Sequence, residues 1–326
     1  MNYKNAHIYL NIRCLKTAWI FSLAFIGNIS FAQLDGTPGA FTRMGFGARG
    51  MGMANAMTAV SIGDVSSFYN PAVTPFLQNK VASISYGFLS LDRALNTLSY
   101  SQSIAPTAGF SVGILNAGVK NIDGRDADGF QTGALSTSEN QFSFSFANRM
   151  SPFVAIGIGL KIYYYSLYEK VSSTTVGVDF GALIRLSDNF TVGAAIIDIG
   201  SKYEWDTTPI YDEQGSTTTE RFPLLRKLGI AYTPSNNCGV FSVEIENSSV
   251  HTDIIRAGAE VNLTEDVAAR IGIDNFDTKQ SAQAAPTFGF TVRTHIERWS
   301  PAVNYAYVIE PYGIFGIHVV SLSTQL

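Results

Sequence analysis

Four stretches of this chain have residue types and spacings that could carry chemistry. Gly45-Phe46-Gly47-Ala48-Arg49-Gly50 matches G-x-G-x-x-G, in which glycines let a backbone approach a pyrophosphate at a helix N-terminus. That chemistry needs a strand before the motif and a crossover helix after it. Here a short loop precedes it and strands without crossover helices follow, so the glycines read as close backbone packing. Asp123-Gly124-Arg125-Asp126-Ala127-Asp128-Gly129 offers carboxylates for calcium. It lacks the regular oxygen spacing of an EF-hand loop and reads as a solvated turn. The imidazoles are His7, His251, His295 and His318, scattered and without zinc or Ser/His/Asp spacing. No catalytic residue, metal site or cofactor is therefore expected, and the chain reads as a non-enzyme. The fourth stretch, Tyr69-Asn70-Pro71-Ala72, is conformational: Pro71 fixes its own φ and Asn70 can cap a short helix.

The elements that would position these residues are strands. Val154, Ile156, Ile158, Leu160, Ile162 and Tyr164 share one face of an eleven-residue run, and Ala155, Gly157, Gly159, Lys161 and Tyr163 share the other. The same period of two recurs in Val176 to Leu186, Phe142 to Phe146, Leu228 to Tyr232, Val267 to Ile273, Phe288 to Val292 and Val303 to Tyr307. One face is apolar. The other is glycine, alanine, serine and an occasional charge, whereas the wet face of a soluble sandwich is rich in Lys, Glu and Thr. Small residues suit the interior of a narrow barrel, and Lys161, Asp179, Arg185, Arg270, Asp274 and Arg293 suit a polar lumen. About eleven residues at a tilt of about 45° cross a bilayer core. Tyr163-Tyr164-Tyr165, Tyr168, Trp205, Trp299 and Tyr312 fall at strand ends, as an interfacial girdle would place them.

These runs predict an all-β chain, a transmembrane antiparallel β-barrel of about 14 strands. The strands fall near 81–91, 94–105, 107–119, 139–149, 153–167, 174–186, 189–203, 223–233, 239–249, 253–263, 267–275, 284–294, 301–310 and 314–324. The longest polar connections, 120–138 and 204–222, are both odd-numbered, which makes them outer loops and puts both termini on the periplasmic side. Residues 33–80 are glycine-rich with no sustained alternation. They are too short for a domain and too apolar to hang free, so they are expected to fold into the lumen as a small N-terminal plug.

Composition and the N-terminus agree with export. Charged residues make up 15% of the chain, against about 25% in ordinary globular domains. Lys4, Arg13 and Lys16 precede the apolar run Ala18 to Gly27, and Ser30-Phe31-Ala32 ends it. This is the order of a secretory signal peptide over 1–32, and its apolar run is too short to span a bilayer. Cys14 precedes that run instead of closing it, so it is no lipoprotein site. Cleavage leaves 19 Lys and Arg against 26 Asp and Glu, a net charge of −7, which disfavours nucleic acid as a partner.

The segment Gly39 to Ala56, with Arg43, Gly45, Gly47, Arg49 and Gly52, resembles the start of the PorV/PorQ family of outer-membrane proteins. So does Asp64 to Ala72, with its Tyr69-Asn70-Pro71-Ala72 close. These proteins are similar to the wider group of FadL-like barrels, and the resemblance implies fourteen strands, residues 81–326, around an N-terminal plug. It also implies a binding and scaffolding role in type IX protein secretion and surface attachment of cargo, with secretion proteins, secreted cargo and outer-membrane lipid as partners. The alternative it implies is a FadL-like passive transporter, with a hydrophobic ligand in the lumen and the plug as gate. Either way the implied location is the bacterial outer membrane.

Overall fold

The computed structural model describes residues 36–326 except 65, 169, 237, 278–283, 295–298 and 311–314. The signal-peptide reading, His7, His295 and Tyr312 lie outside the described residues.

Alternating sequences became strands because a period of two can satisfy an apolar exterior and a polar interior at once. The strands are β1 (Val81–Phe88), β2 (Arg93–Ile104), β3 (Ala108–Arg125), β4 (Gln131–Arg149), β5 (Val154–Tyr168), β6 (Val171–Arg185), β7 (Phe190–Ile199), β8 (Lys202–Asp206), β9 (Thr217–Arg221), β10 (Leu225–Tyr232), β11 (Gly239–Ser248), β12 (Asp253–Asn262), β13 (Val267–Asp277), β14 (Ala285–Arg293), β15 (Ser300–Val308) and β16 (Ile317–Gln325). All but β8 and β9 form one closed barrel of 14 antiparallel strands, shut by β1 against β16 from Val81↔Gln325 to Phe88↔His318. Closure leaves no unpaired edge, the condition for carrying strand backbone through lipid.

The outward face is apolar. Ile156, Ile158, Leu160 and Ile162 on β5, Phe142, Phe144 and Phe146 on β4, and Phe288, Phe290 and Val292 on β14 are all exposed. In water this patch would far exceed what a monomer tolerates; in lipid it is the contact surface. On β2, β3 and β4 it ends at Asn96, Asn116 and Asn140. These are cross-strand neighbours linked side chain to side chain at 3.1 and 2.8 Å.

Two connections differ from expectation. Most of 120–138 is not loop: β3 and β4 continue through Ile122↔Leu135 and Asp123↔Ala134 to Arg125↔Gln131, after a bulge at Asn121 (φ 56°). Once the lower part of the hairpin sets the register, each further pair adds ladder bonds without new loop closure. The stretch 204–222 is occupied by the separate hairpin β8–β9, which begins at Lys202, and by a one-turn helix, α4 (Thr208–Tyr211). At its start the Asp206 carboxylate is held below the usual carboxylate range by hydrogen bonds from the Thr208 hydroxyl and amide.

The aromatic girdle also needs correction. Tyr164 and Tyr168 face outward, but Tyr163 is fully buried in the lumen. Tyr165 and Trp205 pack together with Tyr203 at 5.2–5.5 Å between ring centroids. Consecutive residues of a strand cannot share a face, so a run of three tyrosines had to split.

Candidate functional site: the lumen and the N-terminal segment

Ahead of β1 the chain makes α1 (Ala40–Arg43), α2 (Gly47–Gly52), α3 (Ser66–Tyr69) and a 3-10 turn (Pro71–Phe76). Nearly all of 41–77 is buried, and its contacts run round the ring. The Ala48 amide donates to Ser321 on β16 at 2.7 Å, and the Thr58 amide to Glu244 on β11 at 3.0 Å. Thr287 on β14 donates to the Gly52 carbonyl at 3.1 Å, and the Ser67 and Ser101 (β2) hydroxyls lie 3.0 Å apart.

The motif residues take distinct places. Arg43 donates to the Thr37 and Pro38 carbonyls at 3.0 Å, bracing the start of the segment. Gly45 holds φ 119°, where a Cβ would stand 2.3 Å from Asn55 Oδ1; no other residue type fits there without strain. Gly47 opens α2 and Gly52 meets Arg270 of the wall. The Tyr69 hydroxyl donates to Asn55 Oδ1 at 2.6 Å and accepts from the Phe46 amide at 3.0 Å. Asn70 caps the 3-10 turn through Oδ1, which accepts from the Ala72 amide at 2.9 Å. Its Nδ2 donates to the Thr58 carbonyl at 2.8 Å and to the Ala182 carbonyl of β6 at 3.0 Å. Pro71 lies against Gly157 and Gly181, so the small residues of these strands are where the segment approaches the wall. Ala72 packs with Val73, Phe76, Leu77, Ala155 and Leu183.

Three buried charge networks tie wall and segment. Arg49 of α2 makes a two-pronged contact with Glu260 of β12 (Nε–Oε2 2.9 Å, Nη2–Oε1 3.0 Å), and Arg270 of β13 reaches the same carboxylate at 2.5 Å. Arg256 meets Asp274 at 2.6 Å, Glu246 at 2.9 Å and Glu244 at 3.4 Å. Lys227 adds to Glu246 at 2.9 Å, and Asn55 of the segment donates to Asp274 at 2.7 Å. Lys161 bridges Asp179 at 2.9 Å and Asp198 at 3.1 Å, and the Tyr163 hydroxyl donates to Asp198 at 2.5 Å. Five cations meet six carboxylates, so each charge has an opposite neighbour, the condition for burying it.

Lys161, Asp179, Arg270 and Asp274 thus all lie buried in these networks. Arg185 stands over the Phe76 ring, 4.0 Å from its centroid, and Arg293 lines a cavity of about 280 Å³ with Arg49, Asp64, Arg270 and Asn304. Lys227, Glu244, Glu246, Arg256 and Glu260 belong to no motif in the sequence, yet the alternation of their strands points them inward. Asp198 is different. It sits at φ 66° beside a register shift opposite Val178/Phe180, and both it and Ile197 are buried, so strict alternation misplaces it.

Toward the end of the lumen away from the termini, Phe41 meets Tyr163 edge to face at 6.3 Å, and Tyr163 and Tyr203 each lie 4.9 Å from Phe222. Lower in the lumen, Phe46 stacks on Phe68 at 4.6 Å, and the Phe68 ring lies over Gly113 of β3.

No family profile matches the sequence, and no curated protein matches it. Solved structures do. The Pseudomonas putida toluene transporter TodX superposes with a TM-score of 0.61 at 12% identity, over 86% of this chain and 96% of TodX. The CymD monoaromatic hydrocarbon channel gives 0.62 at 13%, over 86% and 97%. A Pseudomonas aeruginosa FadL homologue gives 0.59 at 12%, over 86% and 99%. The fold is FadL-like. At this identity the similarity concerns the FadL-like architecture: one closed barrel of fourteen strands spanning nearly the full length of each neighbour.

Proposed function

We propose that this chain is an outer-membrane barrel that passes small hydrophobic molecules through its lumen, with residues 33–80 as the plug that controls passage. The observation that carries the reading is the set of aromatic side chains that meet in the lumen, from the wall (Tyr163), the β9–β10 connection (Phe222) and the plug (Phe41, Phe46, Phe68). An apolar solute entering the lumen would meet aromatic faces there, several of them carried by the plug. The exposed apolar belt and the likeness to a toluene transporter and a monoaromatic hydrocarbon channel support the same reading. Residues 1–32 act as a cleaved signal peptide in this scheme, so N-terminal sequencing of the membrane-extracted protein should start at Gln33. The test of function is uptake of radiolabelled toluene by whole Gram-negative cells. Cells making the full chain should exceed vector controls several-fold, and equal uptake with the barrel present in the outer membrane would defeat the reading.

The secretion role implied by the PorV/PorQ resemblance is the second reading. It is favoured by the long β3–β4 hairpin and the β8–β9 excursion, which carry exposed Phe130 and Tyr211. Recovery of type IX secretion proteins with the tagged barrel from its native membrane would support it, and recovery of the barrel alone would count against it.

A further inference from the structure

The lumen wall is chemically divided. On β10 to β13 it carries two of the charge networks and on β5 to β7 the third; on β1 to β4 it is lined by hydroxyls such as Ser83, Ser99, Ser111 and Ser145. One level of the hydroxyl side reads Ser85, Thr97, Leu115, Gln141, Tyr163, each the cross-strand partner of the next. All five are buried. Gln141 is 0% exposed, and neither Nε2 nor Oε1 of its amide has a hydrogen-bond partner among the described residues; the same holds for Ser85 Oγ and Thr97 Oγ1. A primary amide brings two donors and an acceptor, and native interiors pair nearly all such groups. Unpartnered polar atoms at one height on neighbouring strands are therefore an unusual concentration.

Aromatic faces bound the same region. Gly113, two residues before Leu115 on the same face of β3, lies under the Phe68 ring, and Phe68 stacks on Phe46. Tyr163, beside Gln141, forms a T-shaped pair with Phe41. Met44 of the N-terminal segment packs against this cluster; as an unbranched side chain it can yield to an entering ring.

Resting on the transport reading, we infer that this barrel selects a single-ring aromatic with a hydrogen-bonding substituent, of phenol type, over a bare hydrocarbon. The ring stacks among Phe68, Tyr163 and the displaced Phe41. The hydroxyl donates to Gln141 Oε1 and accepts from Gln141 Nε2 or Thr97 Oγ1. Sites that pair a substrate hydroxyl reject the analogue without it far more strongly than an apolar pocket separates isosteres.

The test uses para-cresol and para-xylene, which differ by hydroxyl for methyl. Calorimetric binding to the full-length barrel in detergent should favour para-cresol by at least about tenfold. Gln141→Leu should bring the ratio near one through loss of cresol binding, with xylene binding kept. Thr97→Val should lower the ratio partway, and this second variant decides the matter if Gln141→Leu does not assemble. Equal affinities in the unaltered protein, binding of neither compound, or a ratio unmoved in the assembled variants overturns the inference. Uptake of both compounds by expressing cells is read in parallel: uptake without preference removes this inference alone, whereas no uptake of either removes the transport reading as well.

Discussion

Replacing Arg49 by Met tests how firmly the N-terminal segment is held. Arg49 gives Glu260 two hydrogen bonds, at 2.9 and 3.0 Å, and donates a third to the Ile62 carbonyl at 2.6 Å. Breaking a buried pair by deleting one partner costs about 3–5 kcal/mol when the remaining charge is bare. Here Arg270 still meets Glu260 at 2.5 Å, so Arg49→Met should fall at the low end, about 3 kcal/mol. Glu260→Gln should cost more, because two arginines lose one carboxylate. The double variant should cost less than the sum, with a coupling of about 2 kcal/mol. Equilibrium urea unfolding of the barrel refolded in lipid vesicles measures all three. Arg49→Met should also raise permeability of expressing cells to a hydrophilic solute, since α2 loses its strongest tether. Loss of less than about 0.5 kcal/mol, the range of an ordinary surface change, with unchanged permeability would refute the reasoning that this pair seats the segment.

Other consequences follow from the same geometry. Gly181→Ala puts a Cβ 2.1 Å from Asn70 Oδ1, while at Gly229 the nearest atom would be an ordinary 3.4 Å away. The first should cost about 1–3 kcal/mol by unseating the Asn70 hydrogen bonds, and Gly229→Ala should unfold like the unaltered protein. Ile158→Arg, near the middle of the outward apolar run of β5, should destabilise the lipid-embedded barrel by about 2–4 kcal/mol; a change near zero would show that this face meets water. Lys161→Met strands Asp179 and Asp198 and should cost about 3–5 kcal/mol. Adding Asp198→Asn should recover part of the loss, and no recovery would show that the cluster acts through packing instead of charge.

Most of the barrel was legible in the sequence. Each of the fourteen expected strands corresponds to one in the ring, because alternation reports which face meets lipid, and lipid enforces it more strictly than water does. What escaped were features set between strands. The β3–β4 extension depends on a ladder continued past Asn121, and its residues alone read as a polar turn. Asp198 faces inward only because a bulge shifts the phase of β7, and Trp205 leaves the expected girdle because β8–β9 folds off the ring. In the N-terminal segment, Asn70-Pro71 announced its capped turn, and the glycines announced close approach. That Arg49 pairs with Glu260 could not be read, since the two are 211 residues apart in the chain.

On the transport reading, hydrophobic solutes pass the lumen when the N-terminal segment moves. Ser67 Oγ and Ser101 Oγ lie 3.0 Å apart, one on the segment and one on β2, so Ser67→Cys with Ser101→Cys brings two sulfurs within reach of a bond of about 2.05 Å. In a Cys238→Ser background, the measurement is toluene uptake by expressing cells under oxidising conditions and again after a reductant. Uptake that falls to the vector level when the bond forms and returns on reduction is the predicted result. Equal uptake with the disulfide closed and open would contradict the claim.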